Sequence, residues 1–364
     1  MNVVVKIGTT SVTDAHGEID PAAVEKLCTE VAALRGAHHR VVVVSSGAIS
    51  AGLPALGLSG ARPTDLATLQ AVSAVGQHRL MRVYEDALSR HGLVAGQVLL
   101  APLDFVNRSQ YLHARQTLGR LLDLGVVPVV NENDAVADDE IRFGDNDRLA
   151  ALVAHLVSAD LLVLLTDTAG MFTADPRLDR DASLIDEIVE VDAALEAAAG
   201  SPSDVRGSGG MASKLAAARM AAWSGVTAVI ASAAKPGILE AAVNSEAGVG
   251  TIVWPRDRRL PARKLWIAFA VGSSGRITVD AGARHALVSA GRSLLPAGVV
   301  SAEGSFGIDD AVELAGPDGH VFAKGLARHP ISRVHEWAGR RSADLPAEAP
   351  PVVVHRDDMV VLSA

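Results

Sequence analysis

Residues 1–11 read MNVVVKIGTTS, and this opening stretch decides the fold prediction for most of the chain. Residues 3–7 form an apolar run that contains a single lysine, Lys6, which is typical of a strand buried on both faces of a parallel sheet. Gly8 and three hydroxyl residues follow at the carboxyl end of this strand, where α/β sheets bind their ligands. A lysine beside glycine suits a phosphate site, and a lysine that snorkels at a strand end explains the pattern equally well.

Similar strand-like runs recur along residues 1–255, where short β-branched runs alternate with longer stretches rich in Ala and Leu. This alternation predicts an α/β fold, an open and mostly parallel sheet sandwiched by helices. The predicted strands are 3–7, 41–44, 95–100, 126–130, 161–165, 187–191, 228–231 and 251–254, and the main predicted helices are 22–34, 66–90, 108–124, 148–156 and 212–224.

The sequence pattern changes after residue 255. Residues 255–264 are polar, basic and bracketed by prolines, so we predict a linker at 256–275. Short strand-like pieces with glycine-containing turns follow at 276–279, 298–300, 310–314 and 320–323, and helical signal is weak apart from 282–290. Together with a last strand at 352–355, these pieces predict a small, mostly β domain over residues 276–364.

Composition and charge narrow the classes of function. The chain of 364 residues has a net charge of −9, and residues 1–255 hold 19 Lys and Arg against 30 Asp and Glu, a net of −11. Such an acidic body does not suit general nucleic-acid binding, so a bound polyanion must meet a local cationic site. The single cysteine, Cys28, forms no intrachain disulfide, and the first residues read as a strand rather than a signal peptide. No apolar run approaches the ~20 residues of a membrane helix, so we expect a cytoplasmic protein with no membrane segment.

Polar side chains follow three further predicted strands. Residues 45–47 (Ser-Ser-Gly) open a turn that suits an anion or simply caps the next helix. Residues 131–134 (Asn-Glu-Asn-Asp) suit a ligand that carries ammonium or hydroxyl groups. Thr166 and Asp167 fit a nucleotide pocket or an Asx turn. Because parallel strands end at one edge of their sheet, we expect these groups to meet there.

Two segments lie ahead of predicted helices. Residues 143–147 read FGDND, and their two aspartates suit binding a cation, orienting a lysine or capping the helix. Residues 206–214 read RGSGGMASK, which formally contains G-x-G-x-x-A. No strand precedes this segment, as a dinucleotide fingerprint requires, and the Gly-Lys-Ser/Thr element of a Walker A loop is absent. A glycine loop that leads into a helix, with Lys214 in the first turns, suits the phosphates of a nucleotide.

Taken together, these motifs closely resemble the gamma-glutamyl kinases, a family of the amino acid kinase superfamily. The resemblance covers residues 1–255 in order, and the C-terminal part is similar to the PUA domain that many of these kinases carry. The matching stretches are 5–11, 44–49, 111–115, 127–134, 143–147, 164–167, 173–177 and 207–214. The resemblance implies phosphoryl transfer from ATP to the γ-carboxylate of L-glutamate, the first step of proline biosynthesis. It also implies Mg²⁺ held largely by ATP and water, with no protein ligand assigned to the metal.

The resemblance further implies roles for individual residues. Lys6 and Lys214 would contact the transferring phosphate, and Asp147 would hold both lysines in place. The residues implied to bind glutamate are Ser46, Asp134 and Asn146, with Asp145 a candidate for substrate or metal. The residues implied to bind ATP are Lys6, Gly8, Thr166, Asp167, Ser208, Gly209, Gly210, Met211, Ala212, Ser213 and Lys214.

The same resemblance implies feedback inhibition by L-proline and assembly as a homodimer or homotetramer. Two alternatives stay open. One is another carboxylate kinase of the superfamily, of acetylglutamate or aspartate type. The other is an RNA-binding protein, because PUA domains usually bind RNA. Residues 256–364 hold 14 Lys and Arg against 12 Asp and Glu, a net of only +2, and few aromatic residues, which disfavours RNA binding as the main function.

Overall fold

A computed structural model of the chain describes residues 1–14, 16–58, 63–101, 103–136, 146–200, 210–256, 259–345 and 352–362. The chain divides into two compact units, Met1–Leu260 and Pro261–Ala364. The division falls inside the segment 256–275 that the sequence predicts as a linker. The first unit has the predicted α/β fold, and the second is the smaller, mostly β unit.

An eight-stranded sheet forms the centre of the first unit. Its strands are β1 (Asn2–Ile7), β2 (Arg40–Ser45), β3 (Ala95–Leu100), β4 (Val127–Glu132), β5 (Leu161–Thr166), β6 (Glu187–Ile188), β7 (Thr227–Ser232) and β8 (Thr251–Val253). They lie in the order β3-β4-β2-β1-β5-β7-β8-β6, and the pairing is parallel except between β7 and β8. The mostly parallel sheet predicted from the sequence is therefore confirmed, with β4, β2, β1 and β5 as neighbours at its middle.

Helices pack on the sheet. They are α1 (Thr9–Val12), α2 (Pro21–Gly36), α3 (Ala48–Gly52), α4 (Leu66–Ser89), α5 (Leu103–Val106), α6 (Arg108–Asp123), α7 (Asn146–Leu156), α8 (Ala193–Ala199), α9 (Met211–Trp223) and α10 (Ile238–Val243). None of the helices in the described parts of the chain is both long and apolar enough to cross a membrane.

Local sequence explains why these elements form. The strands β1, β2, β4 and β5 are almost wholly buried, which matches their richness in Val, Ile and Leu. Asp20 caps α2, since its side chain accepts a hydrogen bond from the N–H of Ala22 and Pro21 occupies the first helical position. Alternate residues of β1 face opposite layers: Val5 joins the core that includes α2, whereas Lys6 points to α7.

The second unit is built on a five-stranded sheet in the order β10-β9-β11-β12-β13. Its elements are α11 (Ala262–Leu265), a π-helical turn (Trp266–Ala270), β9 (Gly275–Val279), α12 (Ala281–Ala290), β10 (Val299–Gly304), β11 (Ala311–Ala315), β12 (Val321–Ala327), α13 (Ile331–Trp337) and β13 (Val354–Val361). Phe322, Leu287 and Val334 are among the residues of its separate hydrophobic core. The sequence does not predict α13, because a seven-residue helix that buries only Val334 and Trp337 shows too little periodicity.

Candidate active site

The carboxyl ends of four neighbouring strands meet at one edge of the large sheet. In β1, Ile7 is paired with Ser45 of β2 on one side and with Leu165 of β5 on the other. β4 lies next to β2 in the same direction. The polar groups that follow these strands therefore line one edge, as the sequence predicts.

At this edge, two lysines from different elements contact one aspartate. The Nζ of Lys6, in β1, lies 2.5 Å from Oδ1 of Asp147, and the Nζ of Lys214, in α9, lies 3.3 Å from Oδ2. The hydroxyl of Ser213 donates a hydrogen bond of 2.7 Å to the same Oδ2. The side chains of Lys6, Lys214 and Asp147 are 4%, 7% and 0% exposed, so this centre is shielded from water.

Asp147 is the ionised partner of both lysines. Burial opposes ionisation, but the charges of Lys6 and Lys214 and the hydrogen bonds from Lys6 and Ser213 outweigh it and lower the pKa of Asp147 to about 2. One carboxylate charge thus faces two ammonium charges, and the centre keeps a net positive charge. A positive centre in a low-dielectric site attracts an anion such as a phosphoryl group.

Helix α9 adds a second positive feature beside Lys214. Its N-cap residue is Gly210, which has extended backbone angles and makes no side-chain cap hydrogen bond. A Cβ added at Gly210 would meet no atom within 4 Å. The first N–H groups of this 13-residue helix lie in the same turn as Lys214 and receive no side-chain cap from Gly210, and such a helix start favours an anion.

A network of amide side chains lies next to the lysines. The Nδ2 of Asn146 donates to the hydroxyl oxygen of Ser46 at 2.8 Å and to Oδ1 of Asn131 at 3.1 Å. The Nδ2 of Asn131 in turn donates to Oε1 of Gln77 at 2.8 Å. These contacts join the ends of β2, β4 and α7 to helix α4.

The network fixes which groups remain for a ligand. Both N–H groups of Asn146 are used, and its Oδ1 is buried and accepts no hydrogen bond within the described parts of the chain. Asn146 therefore offers an acceptor, as a ligand ammonium requires. Ser46 accepts from Asn146, and within the described residues its hydroxyl proton has no acceptor, so it can be donated to a carboxylate.

Asp134 and the end of β5 complete the edge. Oδ2 of Asp134 accepts a hydrogen bond of 2.6 Å from the hydroxyl of Ser73, in α4. The hydroxyl of Thr166, which is 4% exposed, donates to Oδ1 of Asp167 at 3.1 Å. This places a second carboxylate beside the amide network and a hydroxyl–carboxylate pair on the other side of β1.

The structure brings together most of the residues that the sequence singles out. Asp145, Ser208 and Gly209 lie outside the described residues. Sequence reasoning did not assign Ser73 or Gln77 to the site, and it singled out Asn131 only as part of the segment 131–134. The signal that could have found the first two is a pair of polar residues one helical turn apart on the buried stripe of α4.

Comparison with known proteins supports the resemblance inferred from the motifs. The chain matches the amino acid kinase family over residues 1–232 and the PUA domain over residues 275–347. It is 43% identical to a glutamate 5-kinase of Pelobacter propionicus, over 99% of this chain and 97% of that protein. It is 48% identical to a glutamate 5-kinase of Frankia casuarinae, over 99% of this chain and 96% of that protein.

A solved structure shows the same fold at lower similarity. The carbamate kinase from Giardia lamblia superposes with a TM-score of 0.50 at 19% identity, covering 70% of this chain and 98% of that one. The family match extends over most of the first unit, and the relatives match over nearly their full length. The chain therefore belongs to the amino acid kinase family and, within it, to the glutamate 5-kinases.

Proposed function

We propose that this protein transfers the γ-phosphoryl group of ATP to the γ-carboxylate of L-glutamate, giving ADP and L-glutamyl 5-phosphate, the first step of proline biosynthesis. The observation that carries the proposal is the pair of buried lysines on Asp147, beside a network that offers both an acceptor and a donor to an amino acid. The names of relatives aligned over nearly the whole chain support the same substrate.

The chemistry needs charge neutralisation more than proton transfer. A carboxylate is already ionised at neutral pH, so its oxygen attacks the γ-phosphorus without a general base. The new bond joins the carboxylate oxygen to the γ-phosphorus as the bond from that phosphorus to the β,γ-bridging oxygen breaks, and its electron pair leaves with ADP. The obstacle is repulsion: two like unit charges at ~4 Å cost about 4 kcal/mol at an effective dielectric of ~20, and a triphosphate multiplies this cost.

In the proposal, the positive charges of Lys6 and Lys214 offset this repulsion. They approach Asp147 from β1 and α9, and we assign them to the phosphates on either side of the transferring group. Because the positive groups are fixed before the substrates bind, they stabilise developing charge without reorganising. Asp147 acts as the residue that positions both lysines.

We assign glutamate to the amide network. The carboxylate of Asp134 would pair with the substrate ammonium, helped by Oδ1 of Asn146, and the hydroxyl of Ser46 would donate to a substrate carboxylate. Asp145 remains a candidate for substrate or metal. The nucleotide would lie along Thr166, Asp167 and the start of α9, with Gly8, Ser208 and Gly209 as further proposed contacts.

Mg²⁺ would neutralise charge on the β- and γ-phosphates when it is bound with ATP. Within the described parts of the chain, no group of three or more His, Cys, Asp or Glu side chains is placed to hold a metal ion. The carboxylate nearest the lysines, Asp147, is already engaged by Lys6, Lys214 and Ser213. We assign the metal largely to ATP and water, and no side chain of the described residues to its coordination.

A carboxylate kinase of acetylglutamate or aspartate type is the alternative. Asp134 distinguishes the first, because an N-acetylated substrate has no ammonium group to pair with this carboxylate. We propose to measure ADP release from ATP and Mg²⁺ with L-glutamate, N-acetylglutamate and L-aspartate in turn. Turnover with L-glutamate at the highest kcat/KM supports the proposal, and a preference for either other acid overturns it.

Feedback inhibition by L-proline is a further part of the proposal, since proline resembles a cyclised glutamate. We expect millimolar L-proline to lower glutamate-dependent turnover, whereas D-proline serves as the matched control. Turnover that is indifferent to L-proline would refute this part alone.

We also propose, from the family resemblance, a cytoplasmic enzyme that assembles as a homodimer or homotetramer. Light scattering coupled to gel filtration gives the mass of the particle in solution. A monomer would refute the proposed assembly and leave the reaction untouched.

A further inference from the structure

Helix α4 touches three residues around the proposed glutamate site with three polar side chains on one face. Ser73 donates to Asp134, Gln77 accepts from Asn131, and the hydroxyl of Tyr84 lies 2.8 Å from the hydroxyl of Ser45. All three lie on the buried stripe of α4, four and seven residues apart.

The hydrogen bonds have defined directions. Ser45 donates its proton to the backbone oxygen of Ser46 at 3.0 Å, so Tyr84 donates to Ser45. The Oδ1 of Asn131 accepts from Asn146 and from the N–H of Glu132, so its Nδ2 must point to Gln77.

Burying Gln77 in this position costs free energy of folding, because one of its polar groups is unpaired. Its side chain is 7% exposed, and its Nε2 is buried with no hydrogen-bond partner in the described parts of the chain. An apolar side chain of the same size, such as methionine, would avoid the unpaired donor. What the glutamine supplies is the acceptor that holds the amide of Asn131, and through it the amide of Asn146.

The position of α4 is itself fixed by close backbone contact with α3. A Cβ on Gly76 would lie 1.8 Å from the backbone oxygen of Ala48, and a Cβ on Gly52 would lie 2.1 Å from that of Val72. Glycine at both positions lets the two helices touch. This contact sets the position of Ser73 and Gln77 relative to the end of β4.

We infer that Gln77 is a positioning residue for the amino-acid substrate: by holding the amide of Asn131, it orients Asn146 so that its oxygen, rather than its nitrogen, faces the ligand. The inference rests on the proposed function, which assigns Asn146 to that substrate. Because Gln77 has no contact with the lysine centre in the described residues, its effect falls on the acceptor and not on ATP.

The test is a comparison of apparent KM values in the full-length protein. For Gln77→Met we expect the KM for L-glutamate to rise about tenfold, the scale of one misplaced hydrogen bond to a charged group, with the KM for ATP unchanged within about twofold. Gln97→Met is the matched control, because Gln97 is exposed on β3, and it should leave both KM values at the wild-type level.

A double-mutant cycle separates positioning from general loss of structure. If Gln77 acts through Asn131, introducing Gln77→Met into Asn131→Ala should raise the KM for L-glutamate by less than about twofold. Fully additive effects, equal increases in both KM values, or a wild-type KM for glutamate in Gln77→Met would overturn the inference. Wild-type protein that releases no ADP with L-glutamate would instead overturn the proposed function. The role of Gln77 is then tested by comparing wild type and Gln77→Met in their KM for the acceptor that is phosphorylated.

Discussion

Asp147 keeps two buried ammonium groups at one point of the sheet edge. Each lysine lies within hydrogen-bond distance of a different oxygen of this carboxylate, so without it the two positive charges would repel each other in a water-poor site. The same geometry leaves one positive charge in excess, which attracts an anionic phosphoryl group. The arrangement thus links the fold of the resting protein to the chemistry proposed for it.

Removing one lysine should affect chemistry far more than folding. For Lys214→Ala we expect kcat to fall at least ~100-fold, the scale of one preorganised transition-state donor. Lys264→Ala is the control, because Lys264 lies in the second unit and bonds only a backbone oxygen of Arg356 among the described residues. Steady-state assays at saturating ATP and glutamate decide it, and near-normal turnover of Lys214→Ala would refute the lysine assignment.

Neutralising Asp147 should affect stability in a pH-dependent way. Because the pKa of Asp147 is lowered from 3.8 to about 2, its carboxylate stabilises the folded protein above pH ~4, and this contribution is lost as the pH falls towards 2. Asp147→Asn should therefore lower the free energy of unfolding by about 3 kcal/mol at pH 7, and the gap to wild type should narrow at pH 3.

Urea unfolding at pH 7, 5 and 3 measures this difference. Asp123→Asn is the control, because Asp123 forms an exposed pair with Arg40 and should change stability by less than about 1 kcal/mol. A gap between Asp147→Asn and wild type that stays constant from pH 7 to 3 would contradict the assigned pKa.

At this scale, the sequence identified residues whose type is unusual for their place. Lys6 stands inside a buried strand, and Lys214 is one of six lysines in the chain and follows a glycine loop. The contact between Gln77 and Asn131 could not be predicted in the same way. It joins positions 54 residues apart, and only the packing of α4 against β4 brings them together.

At the scale of elements, the contact between α3 and α4 sets the geometry behind the site. The two helices meet through Gly52 and Gly76, whose missing side chains leave room for the opposite backbone. Backbone atoms cannot move aside as a flexible side chain does, so this contact tolerates no Cβ without separating the helices.

Two glycine-to-alanine variants test this packing. Gly76→Ala should destabilise the protein by about 3 kcal/mol, because its Cβ would lie 1.8 Å from the oxygen of Ala48. Gly119→Ala makes the same change in α6, where a Cβ meets nothing within 4 Å, and should stabilise by about 0.5–1 kcal/mol. Chemical denaturation midpoints measure both, and a Gly76→Ala protein as stable as wild type would contradict the contact.

Strands and long helices were predictable because their signals are local. The run of Val and Leu that marks β5 and the capping Asp20 of α2 can be read without knowledge of the fold. The antiparallel pairing of β7 with β8 and the short helix α13 depend on tertiary packing, so no local pattern marks them.

For the whole molecule, the charge distribution and the family match both indicate an enzyme that acts on small molecules. The first unit is acidic overall, yet it gathers Lys6, Lys214 and the start of α9 at one sheet edge. A local positive site in a negative body suits a nucleotide better than a long polyanion. The second unit has its own hydrophobic core, which fits the match of residues 275–347 to the PUA domain.

Trapping the product as a hydroxamate tests the proposed reaction most directly. In the presence of ATP, Mg²⁺ and L-glutamate, hydroxylamine converts an acyl phosphate into a hydroxamate as it forms. We predict γ-glutamyl hydroxamate in proportion to the ADP released, and at least ~100-fold less of it from Lys214→Ala in the same time. ADP release without hydroxamate, or hydroxamate formed from N-acetylglutamate or L-aspartate but not from L-glutamate, would contradict the transfer of phosphate to the γ-carboxylate of glutamate.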